Sequence, residues 1–253
     1  MSFIVIIPAR YASTRLPAKP LREIAGVLMI QRVWQQALKS NASRVVIATD
    51  DSRIEQAAIG FGADVCMTRP DHVSGTDRLQ EVAEQLGLED EQLVINVQGD
   101  EPLIPPAVIN QVAENLAQNP RAGVATLCEP IDSVADFLNP NAVKVVADSQ
   151  GMACYFSRAP VPWPRDHFQS EQLSMPESGL ARRHIGIYGY RVAQLNSFVS
   201  WPVAPLERSE SLEQLRFLWN SVGIHVADAV EPVPPGIDTE DDLQAVERFI
   251  NRN

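Results

Sequence analysis

The fold is decided by the stretch Phe3–Leu21, which reads FIVIIPARYASTRLPAKPL. Its first part, Phe3–Ile7, is apolar and mostly β-branched, with no polar residue on either face. This pattern is typical of a strand that is buried on both sides of a sheet. We expect Pro8 to end the strand, because proline has no N–H to donate to a central ladder. The stretch therefore predicts a central strand that opens directly into the loop behind it.

The loop after this strand is rich in cations and hydroxyl groups. It contains Arg10, Arg15 and Lys19, together with Ser13 and Thr14, and it contains no acidic residue. The whole chain has a formal net charge of −11, so the loop is positive against the overall sign. Open α/β sheets bind ligands at the carboxyl ends of their strands, and guanidinium groups bind phosphate with paired hydrogen bonds. The loop is therefore a candidate phosphate site; the alternative is a basic loop that contacts only solvent.

Two common phosphate-binding motifs are absent from the sequence. No glycine precedes Gly26, so no G-x-G-x-x-G follows the first strand, and no Gly-Lys dipeptide occurs, so there is no Walker A loop. Asp50 and Asp51 follow a second buried-type strand, residues 44–49. An aspartate there binds a ribose hydroxyl in dinucleotide folds, but without the glycine motif we favour a cap for the next helix.

Composition limits the class of protein. A chain of 253 residues with 45% hydrophobic residues suits one large α/β domain, or such a domain with a sizeable insertion. The acidic balance argues against nonspecific binding of nucleic acid. Cys66, Cys128 and Cys154 are far apart and in no Cys-x-x-Cys pair, which predicts free thiols in a reducing compartment. We expect no signal peptide and no membrane insertion, and hence a cytoplasmic protein.

The remaining pattern alternates between strands and helices and then becomes irregular. From about Glu129 the alternation breaks, and strand-like runs at 143–147, 152–156 and 185–190 lie between irregular segments. We predict a smaller β-rich insertion at roughly 129–205, whose apolar residues either cover a partner subunit or pack locally. Regular elements are predicted on both sides of it: strands at 63–67, 93–97, 123–128 and 224–229, and helices at 29–40, 52–61, 105–118 and 206–222, with Leu212, Leu215, Leu218 and Trp219 of the last helix in the core.

Two acidic residues stand out at opposite ends of the chain. Asp100 follows the strand at 93–97, where a carboxylate beside a phosphate site is a candidate Mg²⁺ ligand; the alternative is an aspartate that closes its own turn. Thr239 and Asp242 resemble a capping box for the last helix, which leaves Asp238 free to bind something else. If Asp238 is itself the cap, that argument fails.

A further motif, Ser74-Gly75-Thr76-Asp77-Arg78, begins a predicted helix. Ser74 or Thr76 is expected to cap it. Arg78 then falls in the first turn, where it either faces the phosphates or has only a structural role.

Nine segments, taken in order, resemble those of the CMP-Kdo synthetases, the cytidylyltransferases of 3-deoxy-D-manno-octulosonate (Kdo). They are IPARYASTRLPAKPL, ATDD, SGTDR, NVQGDEP, NPNAVKVV, YFSRAPVPW, RHIGIYGYR, LEQLR and GIDTEDDL. The resemblance implies a three-layer α/β nucleotide-diphospho-sugar transferase fold with a mixed, mostly parallel central sheet, in one catalytic domain over residues 1–253. It also implies Mg²⁺ as cofactor, a homodimer formed through the insertion, and the reaction of CTP with Kdo to CMP-Kdo and diphosphate in lipopolysaccharide biosynthesis.

The resemblance also assigns roles to individual residues. It implies catalytic roles for Lys19, Arg15, Asp100 and Asp238, the last two as the metal ligands. The implied nucleotide-binding residues are Ala9, Arg10, Arg15, Lys19, Thr76, Arg78 and Gln98. The implied contacts to the sugar acid are Arg78, Arg158, His184, Tyr188, Glu213 and Gln214.

The sequence departs from the family's pattern at two places. Ala18 stands where the family's loop usually has glycine, and Val27-Leu28 replaces a usual Lys-Pro, which removes one cation near the loop. The alanine is harmless unless its φ is positive, in which case the Cβ costs roughly 1 kcal/mol.

Three rival functions remain open on the sequence. One is a cytidylyltransferase for another 2-keto-3-deoxy acid, such as N-acetylneuraminate. Another is a nucleotidylyltransferase for sugar 1-phosphates, and the third is a noncatalytic nucleotide-binding protein on the same fold. Only the pocket for the sugar acid separates the first from Kdo activation.

Overall fold

A mixed nine-stranded sheet forms the centre of the protein. The structure is a computed structural model that describes residues 2–12, 15–72, 74–168, 173–175 and 179–252. The strands within these residues are β1 (Phe3–Ala9), β2 (Glu23–Ile24), β3 (Val27–Leu28), β4 (Arg44–Thr49), β5 (Asp64–Met67), β6 (Leu93–Asn96), β7 (Ala122–Pro130), β8 (Lys144–Ala147), β9 (Ala153–Ser157), β10 (Arg182–Arg191) and β11 (Gly223–Asp228). The helices are α1 (Met29–Leu38), α2 (Ser52–Gly60), α3 (Gly75–Gln85), α4 (Pro106–Gln118), α5 (Val134–Leu138), α6 (Val192–Phe198), α7 (Pro205–Glu210), α8 (Gln214–Trp219) and α9 (Glu240–Ile250).

The sheet order is β11-β7-β10-β6-β1-β4-β5, with β8 and β9 attached beside β10. β1 pairs in parallel with both β4 and β6, and β11 pairs in parallel with β7. β10 is antiparallel to its two neighbours, β6 and β7. The prediction of an α/β fold with a mixed, mostly parallel sheet is therefore confirmed.

Side chains of β1 divide between two cores because successive residues of a strand point to opposite faces. Val5 and Ile7 lie in the core that includes α1, α2 and α4, whereas Ile4 and Ile6 lie in the core with α3, α6 and α8. Helices thus cover both faces of the sheet, which explains why β1 carries no polar residue at its centre.

β1 continues one residue beyond Pro8, so the prediction that proline ends this strand is wrong. The main chain of Ile6 faces β6, where its carbonyl accepts from the Val97 N–H at 3.2 Å. Pro8 faces the same side two residues later, past Asn96, the last residue of β6. No ladder bond is lost there, and Pro8 still pairs on its other side with β4.

The segment predicted as an insertion, roughly 129–205, shares strands with the central sheet. Its last strand, β10, lies between β6 and β7 in the middle of the sheet order. Helix α5 and the β8–β9 hairpin lie outside the main order of strands. A separate dimerisation subdomain in this segment stays a prediction.

The single helix predicted at 206–222 is wrong, because α7 and α8 are separate. Ser211 has a left-handed φ of +52°, which ends α7. Leu212 and Leu215 are buried as predicted, but Trp219 is 54% exposed and does not belong to the core.

Three predicted helix caps are confirmed. The Asp51 carboxylate accepts from the Arg53 N–H at the start of α2. Ser74 forms a capping box with Asp77 at α3, and Thr239 forms one with Asp242 at α9. None of the helices in the described residues is long and apolar enough to span a bilayer.

Val27 and Leu28, the second departure from the family pattern, form one strand of a small hairpin. β2 and β3 pair in antiparallel fashion across a turn in which Ala25 and Gly26 both have positive φ. The Ala25 N–H donates to the Glu247 carboxylate of α9 at 2.9 Å. The position at which the family usually has this lysine therefore lies in a hairpin that contacts the last helix.

Ala18 has a φ of +56°, in the left-handed region where a Cβ is unfavourable. We therefore predict that Ala18→Gly raises the free energy of unfolding by about 1 kcal/mol. Urea unfolding followed by circular dichroism measures the change. Ala57→Gly, in the interior of α2, is the matched control and should lower the stability by a similar amount. If Ala18→Gly lowers the free energy of unfolding, the prediction that Ala18 is strained is wrong.

Candidate active site

An open cleft of about 420 Å³ lies where β1 and β6 end. Its position at the carboxyl ends of parallel strands is the one expected of a ligand site in an open α/β sheet. The cleft is lined by Pro8, Ala9, Arg10, Ala12, Arg15, Lys19, Pro20, Gly75, Gln98, Gly99, Asp100 and Asp238.

Lys19 joins the two predicted metal ligands at the floor of this cleft. Its ammonium nitrogen lies 2.6 Å from Asp100 Oδ2 and 2.9 Å from Asp238 Oδ1. The same nitrogen donates to the Ile237 carbonyl at 2.8 Å. The structure thus brings together residues that are 81 and 219 positions apart in the chain.

A small apolar core places the Lys19 segment against the last helix. Lys19 begins a short 3-10 turn, Lys19–Leu21, with Pro20 at its start. The Ile237 N–H donates to the Asp100 carbonyl at 2.9 Å, which ties the segment before α9 to the end of β6. The buried side chains of this core are Leu16, Ile24, Met29, Ile237 and Leu243.

Asp238 is available for Lys19 because it does not cap α9. Thr239 is the cap, and the Asp242 carboxylate accepts from the Asp238 N–H at 3.1 Å. The Asp238 side chain also pairs with the Arg15 guanidinium at 3.0 Å. The Arg15 side chain is 66% exposed, so this second pair contributes little to stability.

Lys19 keeps its proton in this site. Burial alone would lower the pKa of Lys19, but the charges and hydrogen bonds of Asp100 and then Asp238 outweigh it and raise the pKa above its ordinary value. The floor of the cleft is therefore a fixed cation between two anions.

The two carboxylates fit the predicted divalent ion. Their oxygens converge on one point, which the ammonium shows by bonding to both. No group of three or more His, Cys, Asp or Glu side chains suited to a metal occurs in the part of the chain that the structure describes. An ion bound by Asp100 and Asp238 would thus take its other ligands from water and substrate phosphates, as Mg²⁺ usually does.

Sequence reasoning missed Glu101, which follows Asp100 directly. Burial, and secondarily the charge of Asp100, raises the pKa of Glu101 to about 8. Its Oε2 atom is buried without a hydrogen-bond partner. A neutral Glu101 at neutral pH adds no third negative charge to the site, and nothing in its sequence position signals this.

Arg10 and Gln98 line the cleft as predicted nucleotide residues, and each is held by main-chain carbonyls. The Arg10 guanidinium donates to the His72 carbonyl at 2.9 Å and to the Ser74 carbonyl at 3.1 Å. Gln98 donates from Nε2 to the Gly186 carbonyl of β10 at 3.4 Å. Both side chains thus link the cleft to neighbouring segments. Ser13 and Thr14 of the predicted loop lie outside the described residues.

The structure does not bring Arg78 to the cleft. Its side chain is completely buried, and its guanidinium donates to Asp50 at 2.7 Å and to the Thr68 hydroxyl. This geometry gives Arg78 the structural role that the sequence left open, and it gives no support to contacts with nucleotide or sugar.

His184 and Tyr188, two predicted sugar contacts, lie side by side on β10 with ring centroids 5.3 Å apart. His184 also packs edge-on against Phe156 and shares a 3.0 Å hydrogen bond with the Thr126 hydroxyl. Burial lowers the pKa of His184 to about 3, so the imidazole is neutral at neutral pH. His184 therefore offers a hydrogen bond to a ligand rather than a positive charge.

Arg158, at the end of β9, is fixed by main-chain oxygens. Its guanidinium donates to the carbonyls of Glu210 at 2.7 Å, Pro140 at 3.0 Å and Ser211 at 3.4 Å. These acceptors are neutral, so the positive charge of Arg158 is held in place without an anion on its guanidinium.

Thr76 does not line the cleft, although the resemblance assigns it to the nucleotide. Its hydroxyl donates to Glu213 Oε2 at 3.1 Å. Glu213 and the buried Gln214 lie at the start of α8, on the side of the predicted sugar contacts. The structure thus groups Thr76 with the sugar residues.

Comparison with known proteins identifies the family of the chain. A family model described as cytidylyltransferase matches residues 4–224. A 3-deoxy-manno-octulosonate cytidylyltransferase of Cellvibrio japonicus (strain Ueda107) is 63% identical over 99% of this chain and 98% of its own. One of Pseudomonas syringae pv. syringae (strain B728a) is 60% identical over 98% of each chain.

A solved structure agrees with these sequence relatives. CMP:2-keto-3-deoxy-manno-octonic acid synthetase complexed with CTP superposes with a TM-score of 0.89 and 41% identity, covering 99% of this chain and 98% of that one. The fold, the cleft and the relatives lead to one conclusion: the chain belongs to the 3-deoxy-manno-octulosonate cytidylyltransferase family.

Proposed function

We propose that this protein transfers the cytidylyl group of CTP to Kdo, giving CMP-Kdo and diphosphate for lipopolysaccharide biosynthesis. The observation that carries the proposal is the convergence of Lys19, Asp100 and Asp238 in the cleft at the end of β1. The names of the relatives and the CTP bound in the similar synthetase structure support the choice of substrates.

The chemistry is a direct displacement at phosphorus. The C2 hydroxyl oxygen of Kdo forms a bond to the α-phosphorus of CTP, while the bond from that phosphorus to the oxygen bridging to the β-phosphate breaks. Diphosphate leaves on the opposite side, and the hydroxyl proton passes to solvent.

Charge repulsion is the main obstacle to this reaction. A sugar that carries a carboxylate must approach a tetra-anionic nucleotide, and each like-charge pair at about 4 Å costs roughly 4 kcal/mol at an effective dielectric constant near 20. Positive groups are therefore needed more than a covalent nucleophile. Lys19 and Arg15 supply two such groups within the cleft.

Asp100 and Asp238 are the residues that would hold Mg²⁺. When bound, the ion would supply positive charge to the phosphates and make the attacking hydroxyl more acidic. With the two carboxylates satisfied in this way, Lys19 would be free to donate to the phosphates and stabilise the charge that develops on the leaving diphosphate.

Arg158 is the proposed partner of the sugar carboxylate. The guanidinium is fixed by three carbonyls, whereas the low pKa of His184 leaves that ring neutral. His184 and Tyr188 would then contact the hydroxyl groups of the sugar. Preference for Kdo over N-acetylneuraminate would depend on these side chains.

We also propose a cytoplasmic homodimer that uses the segment between β7 and β10. Four large apolar side chains among the described residues of this segment are exposed: Leu138 at 41%, Trp163 at 58%, Leu173 at 39% and Leu180 at 65%. Exposed apolar residues that form a patch suit a protein interface better than contact with water.

Diphosphate release tests the proposed function. With CTP and Mg²⁺, we expect rapid release when Kdo is the acceptor, and only background release with N-acetylneuraminate or without an acceptor. Asp100→Asn should abolish the release while the circular dichroism spectrum stays unchanged. Faster diphosphate release with N-acetylneuraminate than with Kdo would show that the substrate is a different sugar acid. If neither acceptor increases the release, the protein is a noncatalytic nucleotide-binding protein.

Replacing Lys19 should strengthen the binding of a divalent ion and weaken the binding of CTP. In the protein without nucleotide, Lys19→Met leaves two carboxylates without their cation, so Mn²⁺ should bind on the order of tenfold more tightly by electron paramagnetic resonance. The same variant should bind CTP more weakly by about 2 kcal/mol, because one charged hydrogen bond is lost.

Arg15→Met is the matched control, since Arg15 also pairs with Asp238 but is mostly exposed. It should change the affinity for free Mn²⁺ much less than Lys19→Met. Equal Mn²⁺ affinity of wild type and Lys19→Met would show that the two carboxylates are not a divalent-ion site.

A further inference from the structure

We infer that Thr76 is a positioning residue for the sugar acid, acting through Glu213, and that it is not a nucleotide contact. The inference rests on the proposed function, because Glu213 is a proposed contact of the sugar acid. It deepens that function by assigning a side chain of α3 to recognition of the acceptor.

The geometry at the start of α3 separates two neighbouring residues. Gly75 lines the cleft, whereas the next residue, Thr76, does not. Thr76 is 4% exposed, and its hydroxyl donates to Glu213 Oε2 at 3.1 Å. The helix therefore presents its first residue to the cleft and its second to the segment that begins α8.

Two hydroxyl groups, first Thr76 and then Ser74, oppose the rise in the pKa of Glu213 that burial causes. Ser74, the other hydroxyl nearby, donates its proton to Asp77 Oδ2 at 2.9 Å within the capping box of α3. Because a hydroxyl has one proton to donate, Ser74 is engaged mainly in the cap of α3, and Thr76 is the hydroxyl that donates to Glu213 at 3.1 Å.

The charged groups around Glu213 do not replace that hydrogen bond. The charges of Asp77 and Glu207 raise the pKa of Glu213, and Arg216, a neighbouring cation, forms a fork with Glu207 at 2.5 and 2.7 Å. Desolvation raises the pKa of Glu213 and Asp77 raises it further, while the Thr76 hydrogen bond opposes both. Without the hydroxyl, Glu213 would lose its orientation or its charge.

Thr76 also contacts the aromatic side of the same site. Burial raises the pKa of the Tyr190 hydroxyl, and the neighbouring side chains of Thr76 and Asn96 oppose that rise. Tyr190 stacks on Tyr188, a proposed contact of the sugar acid, with centroids 5.8 Å apart and planes at 20°. The buried Thr76 thus bonds to Glu213 directly and lies beside Tyr190, which stacks on Tyr188.

Steady-state kinetics with Kdo and CTP test the inference on Thr76→Val, which keeps the shape and removes the hydroxyl. We expect the KM for Kdo to rise about tenfold, equivalent to about 1.4 kcal/mol. The KM for CTP should stay within about twofold of wild type. Thr76→Ser restores the hydroxyl and should restore the KM for Kdo.

A double-mutant cycle provides a second measurement. Glu213→Ala should also raise the KM for Kdo, and adding Thr76→Val to it should have little further effect, because both changes remove the same interaction. Fully additive effects would overturn the inference. A rise in the KM for CTP with no change for Kdo would also overturn it, and would restore Thr76 to the nucleotide.

The experiment separates this inference from the proposed function. A wild-type protein that releases no diphosphate with Kdo and CTP would overturn both. An active wild type in which Thr76→Val lowers the melting temperature but leaves both KM values unchanged would overturn only the role of Thr76.

Discussion

The bonds of Lys19 to Asp100 and Asp238 are the interaction on which the site depends. They join the loop after β1, the turn after β6 and the start of α9, which are far apart in the chain. The carboxylates would repel each other in a partly buried cleft without a cation between them. The ammonium therefore holds the ligand-free cleft together, and it marks the place where positive charge is needed for catalysis.

Sequence reasoning succeeded where the signal is local. β1 was identified from five consecutive apolar residues, because burial on both faces leaves no alternation to misread. The expectation that Asp238 does not cap α9 is confirmed, because Thr239 and Asp242 satisfy the helix start between them. Asp100, after β6, was expected to lie beside the cationic loop after β1, since parallel strands deliver their ends to one edge.

Sequence reasoning left questions open, or was wrong, where the outcome depends on distant partners. The sequence allowed Arg78 either to face the phosphates or to have a structural role, and Asp50 and Thr68, on other segments, bind it in the core. Thr76 directly follows Gly75, which lines the cleft, but its hydroxyl binds Glu213, 137 positions away in the chain. The break between α7 and α8 occurs at Ser211, which has a left-handed backbone conformation. Serine is not a residue type from which such a break is predicted, as glycine or proline would be. No local pattern in the chain contains these facts.

The central place of β10 has a consequence for how the chain folds. β6 and β7 are never adjacent, because β10, which is made about 50 residues after β7 ends, separates them in the sheet. During synthesis, the edge of β6 that pairs with β10 stays unpaired in the half-sheet β6-β1-β4-β5 until β10 leaves the ribosome. Open edges invite pairing with other chains, and contacts between such distant residues form slowly. The nascent protein therefore has a period of vulnerability to aggregation that ends only when its antiparallel strand arrives.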